Sequence, residues 1–236
     1  MSHRWNGSRA ALILGLAVAA TPACADPRPV VVELFTSQGC SSCPPADALL
    51  GELAKKSDVL ALGFHISYWD SLGWKDPLSS PSSTERQRAY ARRLGDGRVY
   101  TPQIVVDGAS EMVGSDRAAV LEALRAARPA AIAPVGFAGD RRSVAIGALA
   151  GGGAGTGEIV LVRFVQRRTT PVGAGENTGR IANDFNGVQS LTTLGAWDGS
   201  RLSFAVEPPA FGEGLAVIVQ APDGHMLGAA MVLGSG

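Results

Sequence analysis

The sequence predicts an α/β unit over residues 28–129 followed by an all-β, sandwich-like unit over residues 130–236. Three observations lead there. From Val30 to about Arg128, short β-branched runs alternate with apolar stripes of helical period. From Pro129 onward the stripes vanish, and 19 of the 30 glycines fall between Gly139 and Gly236, separating short strand-like runs. A chain of 236 residues that is 46% hydrophobic and 18% charged also has the apolar material for a sizeable core.

The first residues read as a targeting segment. His3, Arg4 and Arg9 carry no neighbouring acid, Ala10 to Ala20 is apolar, and Ala23-Cys24-Ala25 is an A-x-A cleavage signal. Residues 1–25 are therefore expected to be a signal peptide, with lipidation of Cys24 as the alternative. The apolar run is too short to span a bilayer, which needs about 20 residues. The expected location is the periplasm or the extracellular space, with no membrane span once the signal is removed.

The elements of the first unit follow in order. Val30 to Thr36 is a strand, Ser37-Gln38-Gly39 a turn, and Ala46, Leu49, Leu50, Leu53 and Ala54 mark one face of a helix from Cys43 to Lys56. Pro44 and Pro45 fit only its first turn. A second strand runs from Val59 to Ser67, and a loop rich in Trp, Gly, Asp and Pro leads to Pro81. Ser82 and Glu85 form a capping box for a helix reaching Leu94. Gln103 to Val106, Asp107-Gly108 and a return strand through Val113 make a hairpin, followed by a helix from about Asp116 to Arg128.

In the second unit, strands are expected at Val135 to Ala138, Ser143 to Leu149, Glu158 to Arg168, Val188 to Leu194, Leu202 to Val206, Leu215 to Gln220 and Met226 to Leu233. About seven strands in roughly 100 residues favour a sandwich. Gly151 to Gly155 lacks the Gly-Lys-Ser/Thr ending of a phosphate loop and reads as a hairpin tip. Glu176-Asn177-Thr178-Gly179-Arg180 either faces the α/β unit or is a turn with a surface ion pair.

Charge narrows the function. Basic and acidic residues both number 21, so the chain has no cationic excess with which to hold nucleic acid. Chemistry concentrates at Cys40-Ser41-Ser42-Cys43. Following a strand and opening a helix, Cys40 meets unsatisfied N–H groups and the helix dipole, which favour a thiolate. Cys40 is then the attacking sulfur and Cys43 the resolving one. Two alternatives remain at this point: an inert staple, and a copper or zinc site made by Cys40, Cys43 and His65. Thr101-Pro102, opening a strand, is a typical place for a cis peptide.

Strand, C-x-x-C, helix, strand, helix, Thr-Pro, hairpin, helix is the element order of the thioredoxin-like fold in its compact, glutaredoxin-like form, and Val30 to Arg128 resembles it. More narrowly, Glu33 to Asp47, with Phe64-His65, Tyr68-Trp69-Asp70, Gly73-Trp74, Arg86-Gln87 and Tyr100 to Gln103, resembles a family of exported bacterial proteins known as a domain of unknown function, which also carries a β-rich C-terminal part. The resemblance implies a thioredoxin-like domain followed by a β-sandwich domain. It implies an exported thiol-disulfide oxidoreductase that needs no cofactor and acts on a protein thiol or disulfide with a separate electron donor or acceptor. Pro102 would be the cis-proline beside the disulfide, and the Thr101 backbone would pair with an extended substrate segment. Glu33, seven positions before Cys40, is the candidate proton acceptor. Tyr68, Trp69 and Trp74 are candidates for an apolar rim of the substrate groove, and Arg86 could pair with Asp70 or Asp76.

Overall fold

A computed structural model describes residues 28–127, 132–149 and 155–234. The expected signal peptide and most of the Gly151 to Gly155 tract lie outside the described residues.

The first strand, β1 (Val30–Thr36), is buried at every residue, as a strand covered on both faces must be. The helix α1 (Pro44–Leu53) starts with its two prolines in the first turn and buries Ala46, Leu49, Leu50 and Leu53. Next come β2 (Val59–His65), a 3-10 turn at Asp70–Leu72, and α2 (Pro81–Leu94). The cap of α2 is Ser80, whose hydroxyl accepts from Ser83 N, not the expected Ser82. Pro81 has no N–H to leave unsatisfied and takes the first helical position, and Glu85 pairs with Arg88 instead. Then β3 (Gln103–Val106) and β4 (Ser110–Val113) form a hairpin with Asp107 and Gly108 at φ 51° and 66°, and α3 (Arg117–Ala126) follows.

The remaining strands are β5 (Val135–Phe137), β6 (Ser143–Ile146), β7 (Gly157–Pro171), β8 (Ile181–Trp197), β9 (Leu202–Ala205), β10 (Glu213–Gln220) and β11 (Met226–Leu233). They do not form a separate sandwich. One eight-stranded mixed sheet, ordered β11-β10-β7-β8-β2-β1-β3-β4, takes strands from both halves of the chain, and β5-β6-β9 is a small second sheet. The expected thioredoxin-like domain followed by an independent all-β domain is thus overturned.

The seam explains how the halves fuse. β8 runs parallel to β2 with Gly63 opposite Gly187. A Cβ at Gly187 would lie 2.8 Å from Leu78, and one at Gly63 would lie 3.1 Å from the Phe185 carbonyl, so two glycines permit the close approach. Asn186, at φ 46°, donates across the seam to Ala61 O at 2.8 Å. One core then spans the join: Phe35, Leu60, Leu62, Phe64 and Tyr90 pack with Val160, Val162, Phe164, Ala216 and Ile218. On the other face of β1 and β2, α1 and α3 bury Val32, Leu34 and Ala61, while the small sheet covers Ile159, Leu215 and Val217. At its ends the sheet coils round far enough that Met226 N donates to Asp107 O at 3.3 Å. Arg28 fastens that closure, donating to both Asp107 carboxylate oxygens and to Met226 O. Among the described residues no helix is long and apolar enough to cross a membrane.

Candidate functional site

Cys40 and Cys43 form a disulfide with Cα atoms 5.4 Å apart at the mouth of α1. The turn after β1 sets their spacing: Cys40 N donates to Ser37 O at 3.1 Å, and Cys43 N to Cys40 O at 3.2 Å. Both cysteines are 0% exposed, although Ser41 and Ser42 between them face solvent. The Thr101–Pro102 peptide is cis, with Pro102 buried beside the loop. Ser42 Oγ lies 3.3 Å from Cys40 Sγ and 3.4 Å from Thr101 O, tying the cysteine loop to that peptide.

The expected aromatic rim is half-buried, and its two tryptophans are hydrogen-bonded. Trp69 Nε1 donates to Thr101 Oγ1 at 2.9 Å, and Trp74 Nε1 donates to Gln38 Oε1 at 3.1 Å. Tyr68 stands beside them, packed on the core.

Gln38, two residues before Cys40, has every polar group engaged. Its N donates to Asp76 Oδ2 and its Nε2 to Asp184 Oδ2; its carbonyl accepts from Asn177 and its Oε1 from Trp74. These partners come from the loop after β2, from β8 and from the tip of the β7–β8 hairpin, so one glutamine fixes the cysteine loop against three segments. Asn177 also donates to Cys40 O at 2.8 Å, and the Glu176 carboxylate accepts from Ser41 N at 3.0 Å. The polar run at Glu176 to Arg180 therefore faces the cysteines.

Beneath the loop lies a buried charged cluster. His65 Nδ1 is 2.7 Å from Asp76 Oδ2, and its Nε2 is 3.8 Å from Asp184 Oδ1. Burial opposes the imidazolium, but Asp76, then Asp184 and Asp47, outweigh it and push the His65 pKa up to about 9. Burial also works against the Asp76 carboxylate, yet the His65 charge and hydrogen bonds from Gln38 and Leu78 hold its pKa below the ordinary range. Asp184 is raised, chiefly by burial. Asp47 sits one turn into α1, at i+4 from Cys43 and so on the same helix face. It accepts from Thr36 Oγ1 at 2.7 Å, and burial raises its pKa to about 7. It lines a cleft of about 220 Å³ between α1 and the β7–β8 hairpin, with Pro44, Val172, Ile181 and Phe185 as apolar walls.

This cluster has a consequence for stability. A histidine raised in the folded state stabilises fully below its unfolded pKa of about 6.5, and that contribution is lost as pH climbs through about 9. Asp47, raised from 3.8, adds a decline at lower pH, between 3.8 and about 7. The urea midpoint of the oxidised chain is therefore expected to fall between pH 7 and pH 10, and His65→Gln should flatten that part of the profile. Parallel profiles for the two proteins would show that His65 is not the titrating group.

The other site residues expected from sequence lie apart from this cluster. Glu33 is fully buried but belongs to the face of β1 opposite Thr36, where it pairs with Arg86 Nε at 2.5 Å and accepts from Tyr90 OH. Arg86 accordingly does not pair with Asp70 or Asp76; Asp70 accepts from Asp76 N and Ser79 Oγ. His65 has both ring nitrogens turned to carboxylates, and the disulfide engages both sulfurs of the alternative copper or zinc set. Among the described residues no group of three His, Cys, Asp or Glu side chains is arranged to hold a metal ion. Asp47, Asp76, Asp184 and Gln38 were not singled out as site residues from sequence. For Asp47 the legible signal was its i+4 spacing from Cys43.

A family model described as a protein of unknown function (DUF1223) matches residues 31–220. The chain belongs to this family. The DUF1223 span includes the cysteine loop, the buried histidine and the hairpin that reaches them, in keeping with one continuous sheet. The chain is similar to an Agrobacterium tumefaciens protein solved by X-ray crystallography, at 33% identity and a TM-score of 0.73, over 89% of this chain and 96% of that one. HBP35 of Porphyromonas gingivalis shares the fold at 16% identity and a TM-score of 0.50, over 88% of this chain and 76% of that one. A comparison with curated proteins finds no match.

Proposed function

We propose that this DUF1223 protein is an exported thiol-disulfide oxidoreductase that exchanges electrons with protein thiols through Cys40 and Cys43. The observation that carries the reading is the Cys40–Cys43 disulfide at the mouth of α1, beside cis-Pro102, with Asp47 one turn behind Cys43. The order β2-β1-β3-β4 around it resembles the cysteine end of thioredoxin-like oxidoreductases. Export rests on the basic, apolar and A-x-A pattern of residues 1–25.

The chemistry balances without a cofactor. A substrate thiolate attacks Cys40 Sγ, the Cys40–Cys43 bond breaks, and Cys43 leaves as a thiolate. Asp47, one turn behind Cys43 and with its pKa raised by burial to about 7, is the group we assign to give Cys43 its proton. A second substrate thiol loses its proton and attacks the substrate sulfur of the mixed disulfide. Cys40 leaves as a thiolate, favoured by the N-terminal end of α1 and by Ser42 Oγ. Two electrons have then passed from the substrate dithiol to the protein, and a disulfide-bearing partner takes them back. The same steps reversed reduce a substrate disulfide. Turnover of a dithiol peptide by the wild-type chain, against Cys40→Ser, tests the reading directly.

A further inference from the structure

Taking the oxidoreductase reading as given, attack on Cys40 meets an obstacle, because the residue is 0% exposed. The tip of the β7–β8 hairpin holds the main-chain groups on either side of its sulfur. We propose that residues 172–180 form a pseudosubstrate lid: Asn177 and Glu176 occupy the main-chain groups flanking Cys40 that an extended substrate peptide takes over when the lid lifts.

Three main-chain groups are held. Gln38 O and Cys40 O accept from Asn177 Nδ2 at 2.9 and 2.8 Å, and Ser41 N donates to Glu176 Oε2 at 3.0 Å. A side-chain amide donor and a carboxylate acceptor offer the same complement as the N–H and C=O of a passing peptide. Because the groups released are all backbone, they recognise polypeptide in general rather than one side chain. Selectivity falls to the cleft beside the loop, where Pro44, Ile181 and Phe185, all outside the lid, suit an apolar side chain next to the substrate cysteine.

The tip is built to move as one piece. Val172 N donates to Arg180 O, Gly179 N to Val172 O, Thr178 N to Gly175 O, and Arg180 N to Asn177 O. Gly175 and Gly179, at φ 75° and 79°, make its turns. Below it, β8 stays anchored by Asp184 to Gln38 and by Asn186 to Ala61. Its closure is also imperfect. Asn177 Oδ1 is buried without a hydrogen-bond partner, a penalty that opening relieves. The Glu176 contact is exposed, so water competes for it.

The test uses the full oxidised chain and two reductants: dithiothreitol, and a reduced two-cysteine peptide with or without N-methylation beside its attacking cysteine. With dithiothreitol, Asn177→Ala and Glu176→Ala should each react about tenfold faster than wild type, the factor expected when a hydrogen bond or two leaves a closed–open equilibrium. N-methylation should slow the peptide against wild type. Equal dithiothreitol rates in wild type and both variants would overturn the lid. Glu176 is exposed, so its variant keeps the test valid even where Asn177→Ala perturbs folding. Failure of the oxidoreductase reading would look different: wild type would pass no electrons to or from any peptide, while the dithiothreitol rates would still report the lid.

Discussion

Cys40→Ser is expected to abolish electron exchange with peptides, whereas Cys43→Ser, offered a disulfide-bearing peptide, should accumulate a stable mixed disulfide as Cys40 attacks and one substrate sulfur leaves as a thiolate. The asymmetry follows from position. Cys40 precedes α1, whose dipole favours an anion, and Ser42 Oγ stands 3.3 Å from its sulfur. Cys43 is the N-cap of α1 and is fully buried one turn before Asp47, which on the proposed function makes it the resolving group. Removing it leaves the intermediate with no internal attacker. Mass spectrometry of the intact chain after incubation with substrate distinguishes the two variants. Turnover at the wild-type rate in Cys40→Ser, or trapping by Cys40→Ser instead of Cys43→Ser, would reverse or remove the assignment.

The largest stability effect is expected at Arg86. Its guanidinium pairs with Glu33, which is fully buried in β1, and stacks over the Phe64 and Tyr90 rings at 5.6 and 5.3 Å. Tyr90 OH donates to Glu33 and accepts from Gln220 Nε2, so the network also ties α2 to β10. Arg86→Ala strands a buried carboxylate, which typically costs about 3–5 kcal/mol. Arg86→Met combined with Glu33→Gln removes both charges and should recover much of the loss. Urea unfolding of the oxidised protein measures both. An Arg86→Ala cost below about 1 kcal/mol, the range of an exposed pair, would show that Glu33 is solvated rather than held.

Much of the chain was legible because local rules and tertiary packing agree. The helical stripe behind Cys43, the Asp107-Gly108 turn and the strand runs at Glu158 and Leu215 all reappear as elements. The architecture was not legible. Alternation along β7 requires one apolar face to be covered, but it reads the same whether that face meets a second sheet or joins an existing core. The Gly63–Gly187 pairing at the seam makes the difference, and two isolated glycines carry no signal of pairing. β8 begins at Ile181, seven residues before the strand expected from Val188, because Asn183 to Gly187 lacks apolar alternation. Those side chains serve the site and the seam instead: Asp184 holds Gln38, and Asn186 holds β2. Glu33 was a reasonable candidate acid by distance from Cys40 along the chain, but strand alternation turns it to the face opposite Thr36 and Asp47. The aromatic loop, a candidate rim of the substrate groove, is half-buried, with Trp69 and Trp74 each donating to a neighbour.

The central claim, that the Cys40–Cys43 pair cycles, is tested most directly by its reduction potential. Equilibrating the chain in graded glutathione buffers and counting alkylatable thiols by mass gives that value. A working oxidoreductase of this kind should fall between about −120 and −270 mV, and the position within that range says whether it oxidises or reduces its partners. A potential below about −300 mV would mark the bond as a structural staple and contradict the account.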